Sequence, residues 1–179
     1  MNGQGYPIGQ GLWKVEYELL FFEEFPSASA VIDDVAMAVR LIWADGAVIR
    51  IGWRNPAYWE DEGLLFDGAQ AENAACVDVS TRWSSCVGAR LDSVVVSRSL
   101  AETRRIWAMN FDFDNDNHLV IALGELDEGM PSYMPDNLIV TDSEAIARAY
   151  WPANSEEACT ETPAWGEFVS DWEPGRYFS

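Results

Sequence analysis

From Leu12 the chain alternates, with Trp13, Val15, Tyr17 and Leu19 interleaved with Lys14, Glu16 and Glu18. A period of two sends successive side chains to opposite faces of an extended segment, so this stretch predicts a strand with its aromatic and aliphatic residues on one face and its charges on the other. The run becomes continuously apolar at Leu19 to Phe22 and ends at Pro26-Ser27. Before it, residues 1–11 are Gly-rich and polar and read as a loose N-terminal arm, leaving 12–179 as a single globular domain.

Two hairpins stand out. Val39, Leu41 and Trp43 alternate with Arg40 and Ile42, Ala44-Asp45-Gly46-Ala47 intervenes, and Val48 to Trp53 follows. Asp-Gly is favoured in tight turns whose two central residues both need positive φ, which predicts the reversal at Asp45-Gly46. The second pairs Arg105–Phe113, where Ile106, Ala108, Asn110 and Asp112 oppose Trp107, Met109, Phe111 and Phe113, with His118–Leu123 across a polar turn at Asp114-Asn115-Asp116-Asn117. Residues 54–75 read as a long loop carrying one short strand at Leu64 to Phe66. Further strands are expected at Val77 to Val79, Leu91 to Ser97 and Asp136 to Thr141. Thr141 or Asp142 then caps a helix through Tyr150 that Pro152 stops, Thr141 and Glu144 having the spacing of a capping box. The tail carries Trp165, Phe168 and Trp172, expected to dock on the core. The sum is a mainly β (α+β) fold, an antiparallel sheet of hairpins with one late helix.

Composition supports a folded chain: 49% of residues are hydrophobic and 13% aromatic, too many for disorder despite the charge. The charge does change the picture. Thirty Asp and Glu face eleven Lys and Arg, a net −19 with a pI near 4.1, and Lys14 is the one lysine. Such a chain repels phosphate backbones and anionic membrane surfaces, so neither nucleic acid nor membrane is an expected partner, whereas cationic proteins are attracted. The same charge also serves plain solubility. Cys76, Cys86 and Cys159 make an odd count that suits a reducing compartment, and the expected location is cytoplasmic. With no Cys-x-x-Cys and a single histidine, no metal site and no cofactor are expected. The first ten residues lack a basic or apolar leader, and no apolar run approaches the roughly 18–20 residues of a membrane helix.

Candidate chemistry is sparse. Asp112, Asp114 and Asp116 imitate the start of a calcium loop, but Asn117 and Leu123 stand where such a loop needs Gly and Glu, so an acidic hairpin turn is the better reading. His118 has no nucleophile signature around any serine or cysteine and reads as a solvated hairpin residue. Adjacent carboxylates abound, as at Glu23-Glu24, Asp33-Asp34 and Glu156-Glu157, too many for any pair to point to a glycosidase. Tyr58-Trp59-Glu60-Asp61-Glu62 differs: two aromatics precede three acids in a loop, a combination suited to an arginine- or lysine-rich surface, unless the aromatics fold back on the core.

The segments Arg90-Leu91-Asp92-Ser93-Val94, Ile106 to Leu123 and Pro135-Asp136-Asn137-Leu138-Ile139-Val140 resemble the closing half of small β-rich bacterial proteins that accompany secreted polymorphic toxins as immunity partners. The resemblance covers about half the chain and implies a cytosolic protein that occludes a toxin's active site; it transfers no binding residues. The expected function is therefore an acidic, non-enzymatic inhibitor of a basic protein partner, with Tyr58, Trp59, Glu60, Asp61, Glu62, Asp112, Asp114 and Asp116 as candidate contacts. The alternative is a small-ligand or carbohydrate-binding β domain, or a hydrolase using carboxylates or His118.

Overall fold

A computed structural model describes residues 7–20, 31–54, 63–67, 74–98, 106–128, 130–132, 134, 136–143, 146 and 167–168. In chain order its strands are β1 (Leu12–Leu20), β2 (Ile32–Val35), β3 (Ala38–Trp43), β4 (Val48–Arg54), β5 (Gly63–Asp67), β6 (Ala74–Asp78), β7 (Leu91–Arg98), β8 (Ile106–Phe113), β9 (His118–Leu123), β10 (Glu125–Asp127), β11 (Met130–Ser132), β12 (Leu138–Thr141) and β13 (Glu167–Phe168). They form two antiparallel sheets, ordered β5-β4-β3-β1-β6 and β13-β7-β8-β9-β12-β2, with β10-β11 as a small separate ribbon. The fold is mainly β, as the alternation predicts.

The inner faces follow from the pairing register. Val15 lies opposite Leu41 and Tyr17 opposite Val39, while Val94 lies opposite Phe111 and Met109 opposite Ile121. Side chains from both sheets merge into one buried cluster, with Trp43, Tyr17 and Ile51 from the first meeting Met109, Phe111 and Ile121 from the second. Full burial of side chains of this size contributes about 1.5–3 kcal/mol each. The chain passes between sheets at Ala36-Met37, where the Trp53 indole N–H donates to the Ala36 carbonyl at 2.7 Å.

Trp13 departs from its expected inward face. The pairing steps from Leu12↔Trp43 directly to Lys14↔Ile42, so Trp13 is the extra residue of a β-bulge. Leu12 and Val15 are both buried as a result, and Trp13 is 69% exposed. The two hairpins turn where expected but with different geometry. Only Gly46 and Asp116 have positive φ, 87° and 61°, so each loop is three residues ending in a left-handed one, not a turn with two positive-φ residues. The loops match bond for bond: Gly46 N–H donates to Trp43 O and Asp116 N–H to Phe113 O, while the side chains of Asp45 and Asn115 accept from Ala47 and Asn117 N–H.

Other boundaries shift. The strand expected at Val77 to Val79 runs Ala74–Asp78, and β2, β10, β11 and β13 are additional. Where the helix start is expected, the Thr141 hydroxyl accepts from Ser143 N–H at 3.1 Å, and the Ser143 hydroxyl and carbonyl both accept from Ile146 N–H, at 3.3 and 3.1 Å. Thr141 ends β12 and donates to Val31 O at 2.8 Å. The rest of that helix lies outside the described residues, as do Trp165 and Trp172. Residues 9–11 are no loose arm: Gly9 N–H donates to Leu91 O, Leu91 N–H to Gln10 O, and Gly11 bridges to Arg90.

The outer face of the first sheet carries a ladder of opposite charges. Lys14 sits 2.7 Å from Glu16 and 3.3 Å from Asp78, and Arg40 lies 3.2 Å from Glu16. These contacts, Glu16 first, raise the Lys14 ammonium above its usual range; the Ser80 hydroxyl and N–H, with Lys14 behind them, lower Asp78. Arg40 and Arg50 are directly opposite across β3 and β4, a repulsive placement that Glu18 resolves. Fully buried, Glu18 accepts from Arg50 Nε on both oxygens at 3.0 and 2.9 Å and lies 3.8 Å from Arg40 Nε.

Two stability predictions follow from these buried groups. Glu18→Ala removes the buried carboxylate that binds the Arg50 guanidinium and is expected to cost about 3–5 kcal/mol in urea unfolding. Glu16→Ala, at the solvated end of the ladder, is expected to cost about 1 kcal/mol or less. The second concerns alkaline pH. Burial, followed by the charge of Asp33, pushes the Tyr17 phenol well above 10.0, and burial pushes the Cys86 thiol from 9.0 to about 11. Above about pH 9 the unfolded chain releases protons that the folded chain still holds, so stability falls as pH rises, by up to about 1.4 kcal/mol per pH unit for each retained proton. Cys86→Ala is expected to flatten the part of that decline between pH 9 and 11.

Candidate functional site

The three aspartates of the second hairpin do not act together. Strand alternation turns Asp112 onto the outer face of the second sheet, whereas Asp114 and Asp116 are exposed in the turn. Because the loop is three residues long, Asp112 pairs directly with His118 on β9 and with Ser93 on β7. Its carboxylate collects their side chains: Ser93 Oγ donates to Oδ2 at 2.7 Å, Asn110 Nδ2 to Oδ1 at 2.7 Å, and His118 Nδ1 lies 2.6 Å from Oδ1. Asp114 Oδ1 instead accepts the Arg90 N–H at 3.0 Å, so the carboxylates have separate tasks and do not converge. Among the described residues no group of three His, Cys, Asp or Glu is placed to hold a metal ion.

His118 is therefore a paired residue with a half-exposed ring, 41% accessible. A carboxylate-oriented imidazole is half of a nucleophile-activating arrangement. Among the described residues the other half is not assembled, because the Ser93 hydroxyl donates to Asp112 and not to the ring. Cys86 reaches the backbone of His118, its thiol donating to the carbonyl at 3.3 Å. Burial holds that thiol near pKa 11, so it carries almost no thiolate at neutral pH. Cys76 and Cys86 are both unbridged thiols, and Cys159 lies outside the described residues. The adjacent acids Asp33 and Asp34 fall on opposite faces of β2. Asp33 turns inward to Tyr17 and Arg82, and Asp34 accepts from Leu126 N–H and Asn137 Nδ2. Neighbours along a strand do not form a carboxylate pair across a cleft.

The second concentration of functional chemistry is one end of the sandwich. The Gly9–Leu12 backbone lies between the first hairpin turn, through Ala44 N–H to Gly11 O, and the 88–91 segment, through Leu12 N–H to Ala89 O and Gly88 N–H to Leu12 O. Arg90 in turn holds the second hairpin turn, its carbonyl accepting from Asp114 N–H, and Ser85 O accepts from the amides of Asn115 and Asn117. This belt ties the segment bearing Ile8 and Trp13 to the turns that carry exposed Asp45, Asp114 and Asp116, with exposed Asp92 just after the 88–91 segment. Ser93, Asn110 and Trp13 were not among the residues singled out in the sequence. The first two become visible only with the hairpin register, and the third only with the bulge. Tyr58, Trp59, Glu60, Asp61 and Glu62 lie outside the described residues.

No protein-family model matches the chain, no curated protein matches its sequence, and no solved structure matches its fold.

Asp112 is expected to be the main stabilising residue of its cluster. Asp112→Ala leaves the buried Asn110 amide and the Ser93 hydroxyl without an acceptor and should cost about 2–3 kcal/mol in urea unfolding, against about 1 kcal/mol for Ser93→Ala. Equal costs for the two variants would show that the carboxylate does not hold the cluster together.

Proposed function

We propose that this chain is an acidic protein-binding inhibitor of the immunity type, neutralising a basic partner such as a secreted bacterial toxin by covering its active site. One observation carries the reading: the charges are segregated. Lys14, Arg40, Arg50 and Arg82 are each committed to ion pairs with the chain's own carboxylates. Meanwhile Asp45, Asp92, Asp114, Asp116, Asp127 and Glu128 are exposed. Among the described residues acidic charge is thus left at the surface in excess, where it attracts cations and steers their approach. The run Tyr58-Trp59-Glu60-Asp61-Glu62 contributes the same chemistry from the sequence, aromatics beside three acids.

Inhibition by occlusion acts through the contact surface and draws on no catalytic group of the inhibitor. Charge of this kind acts on encounter more than on final affinity, because rim charges are screened by water and salt.

The test is co-expression with a basic toxin encoded beside this chain's gene. The expected result is a stoichiometric complex on gel filtration, loss of the partner's toxicity, and an association rate that falls about tenfold or more between low and high salt while dissociation changes little. Unabated toxicity, or an association rate insensitive to salt, would overturn the reading.

A further inference from the structure

Trp13 is the feature that the fold treats most unusually. In β1 its neighbours Leu12 and Val15 are completely buried, yet Trp13 itself is 69% exposed, the most exposed of the three large hydrophobics open to solvent in the described residues. The bulge produces this. An unbulged strand would hold Trp13 on the face of Val15 and Tyr17; inserting it as an unpaired residue keeps Leu12 in the core and turns the indole outward. Bulges re-aim side chains in this way at functional places. Leaving so large an apolar surface in water forgoes the stabilisation that burying it would give. Ile8, 45% exposed, lies on the same N-terminal segment.

The surroundings specify what would cover the indole. Through the backbone belt described above, the segment bearing Trp13 is hydrogen-bonded to the turn carrying Asp45 and to the 88–91 segment, which in turn holds the turn carrying Asp114 and Asp116. These three carboxylates and Asp92 are exposed, and Arg90 is the one exposed cation among the described residues of this belt. An exposed indole at the end of the molecule that carries these acidic turns is matched by guanidinium groups, which can stack on the ring while donating to the acids. The backbone here is already ordered by its own hydrogen bonds, so association need not pay for arranging it.

Resting on the basic-partner reading above, we propose that Trp13, on a segment that also carries Ile8 and is hydrogen-bonded through the belt to the turns bearing Asp45, Asp114 and Asp116, is the anchor by which this chain docks onto an arginine-rich protein surface. Trp13 is the desolvated centre and the turn aspartates are the rim.

The probe is an arginine-glycine decapeptide titrated into the full-length isotope-labelled protein at low ionic strength. The Trp13 indole N–H resonance, identified by its loss in Trp13→Phe, and the amides of residues 44–46 and 114–116 are expected to shift together. Trp13→Ala is expected to weaken binding at least fivefold. The combined variant Asp45→Asn, Asp114→Asn, Asp116→Asn keeps the turn hydrogen bonds and the left-handed position, and should weaken it similarly. Neutralising the exposed Asp127 and Glu128 as Asn and Gln, a control on the β10-β11 ribbon, should change it less than twofold. Shifts confined to other acidic regions, or Trp13→Ala binding like the parent, would overturn this docking surface and leave the basic-partner reading standing. No binding of the peptide anywhere would overturn both.

Discussion

A buried carboxylate holds the two sheets in one arrangement. Asp33 lies in β2, the edge strand of the second sheet, and is only 2% exposed. Its oxygens accept from the Tyr17 hydroxyl at 2.8 Å and from Arg82 Nε at 3.1 Å, and Arg82 Nη2 lies 3.0 Å away. The Trp83 indole donates in turn to the Tyr17 oxygen at 2.6 Å, and the Arg82 guanidinium lies 5.2 Å above the Trp83 ring. Tyr17 belongs to the first sheet and the Arg82-Trp83 pair to the turn between β6 and β7, so three separate parts of the chain meet on one charge. Burying an unpaired carboxylate would cost several kcal/mol. Only arrangements that bring all of these donors to Asp33 avoid that cost, which makes the network a constraint on sheet alignment as well as a source of stability.

That alignment has consequences at the end of the molecule. The turn that carries Arg82 and Trp83 continues into Cys86 and Gly88, and from there the backbone meets Leu12 and then Leu91. Placing Trp83 against Tyr17 therefore helps place the 88–91 segment, on which the second hairpin turn hangs through Arg90 and Asp114. The acidic turns are thereby tied through the backbone to the buried network around Asp33. A surface built this way presents its charges in a set geometry and does not have to be ordered on contact.

The treatment of cations is the other organising theme. Glu18, Glu16, Asp78 and Asp33 take up four of the chain's eleven basic residues in internal ion pairs. Among the described residues Asp45, Asp114 and Asp116 are left at the surface in turns, where Asp and Asn also satisfy local backbone donors, as Asp45 and Asn115 do. One residue type thus supplies turn geometry and surface potential together, which is why the acidic turns need no separate explanation as metal loops.

Much of the architecture was legible along the chain. Period-two alternation located β1, β3 and β8, because a half-buried strand must separate its two faces, a β-branched run located β7, and Asp45-Gly46 and Asp114 to Asn117 marked the reversals into β4 and β9 because few other residues accept left-handed backbone. The count of acids against bases determined the sign of the surface. Tertiary structure decided what depends on pairing across distance. A turn of four residues at 114–117 would set Phe113 against His118; the three-residue loop sets Asp112 there instead, and that one-residue difference creates the Ser93-Asn110-Asp112-His118 cluster. The bulge that expels Trp13 exists only relative to β3, so alternation alone assigned it to the core. Ile32-Asp33-Asp34-Val35 does not look like a strand until the partners of its two acids are known: Tyr17 and Arg82 lie on one side, Leu126 and Asn137 on the other. Local pattern determines which face a residue can present, but whether a buried charge or an exposed indole is tolerable depends on groups that only folding brings within hydrogen-bonding reach.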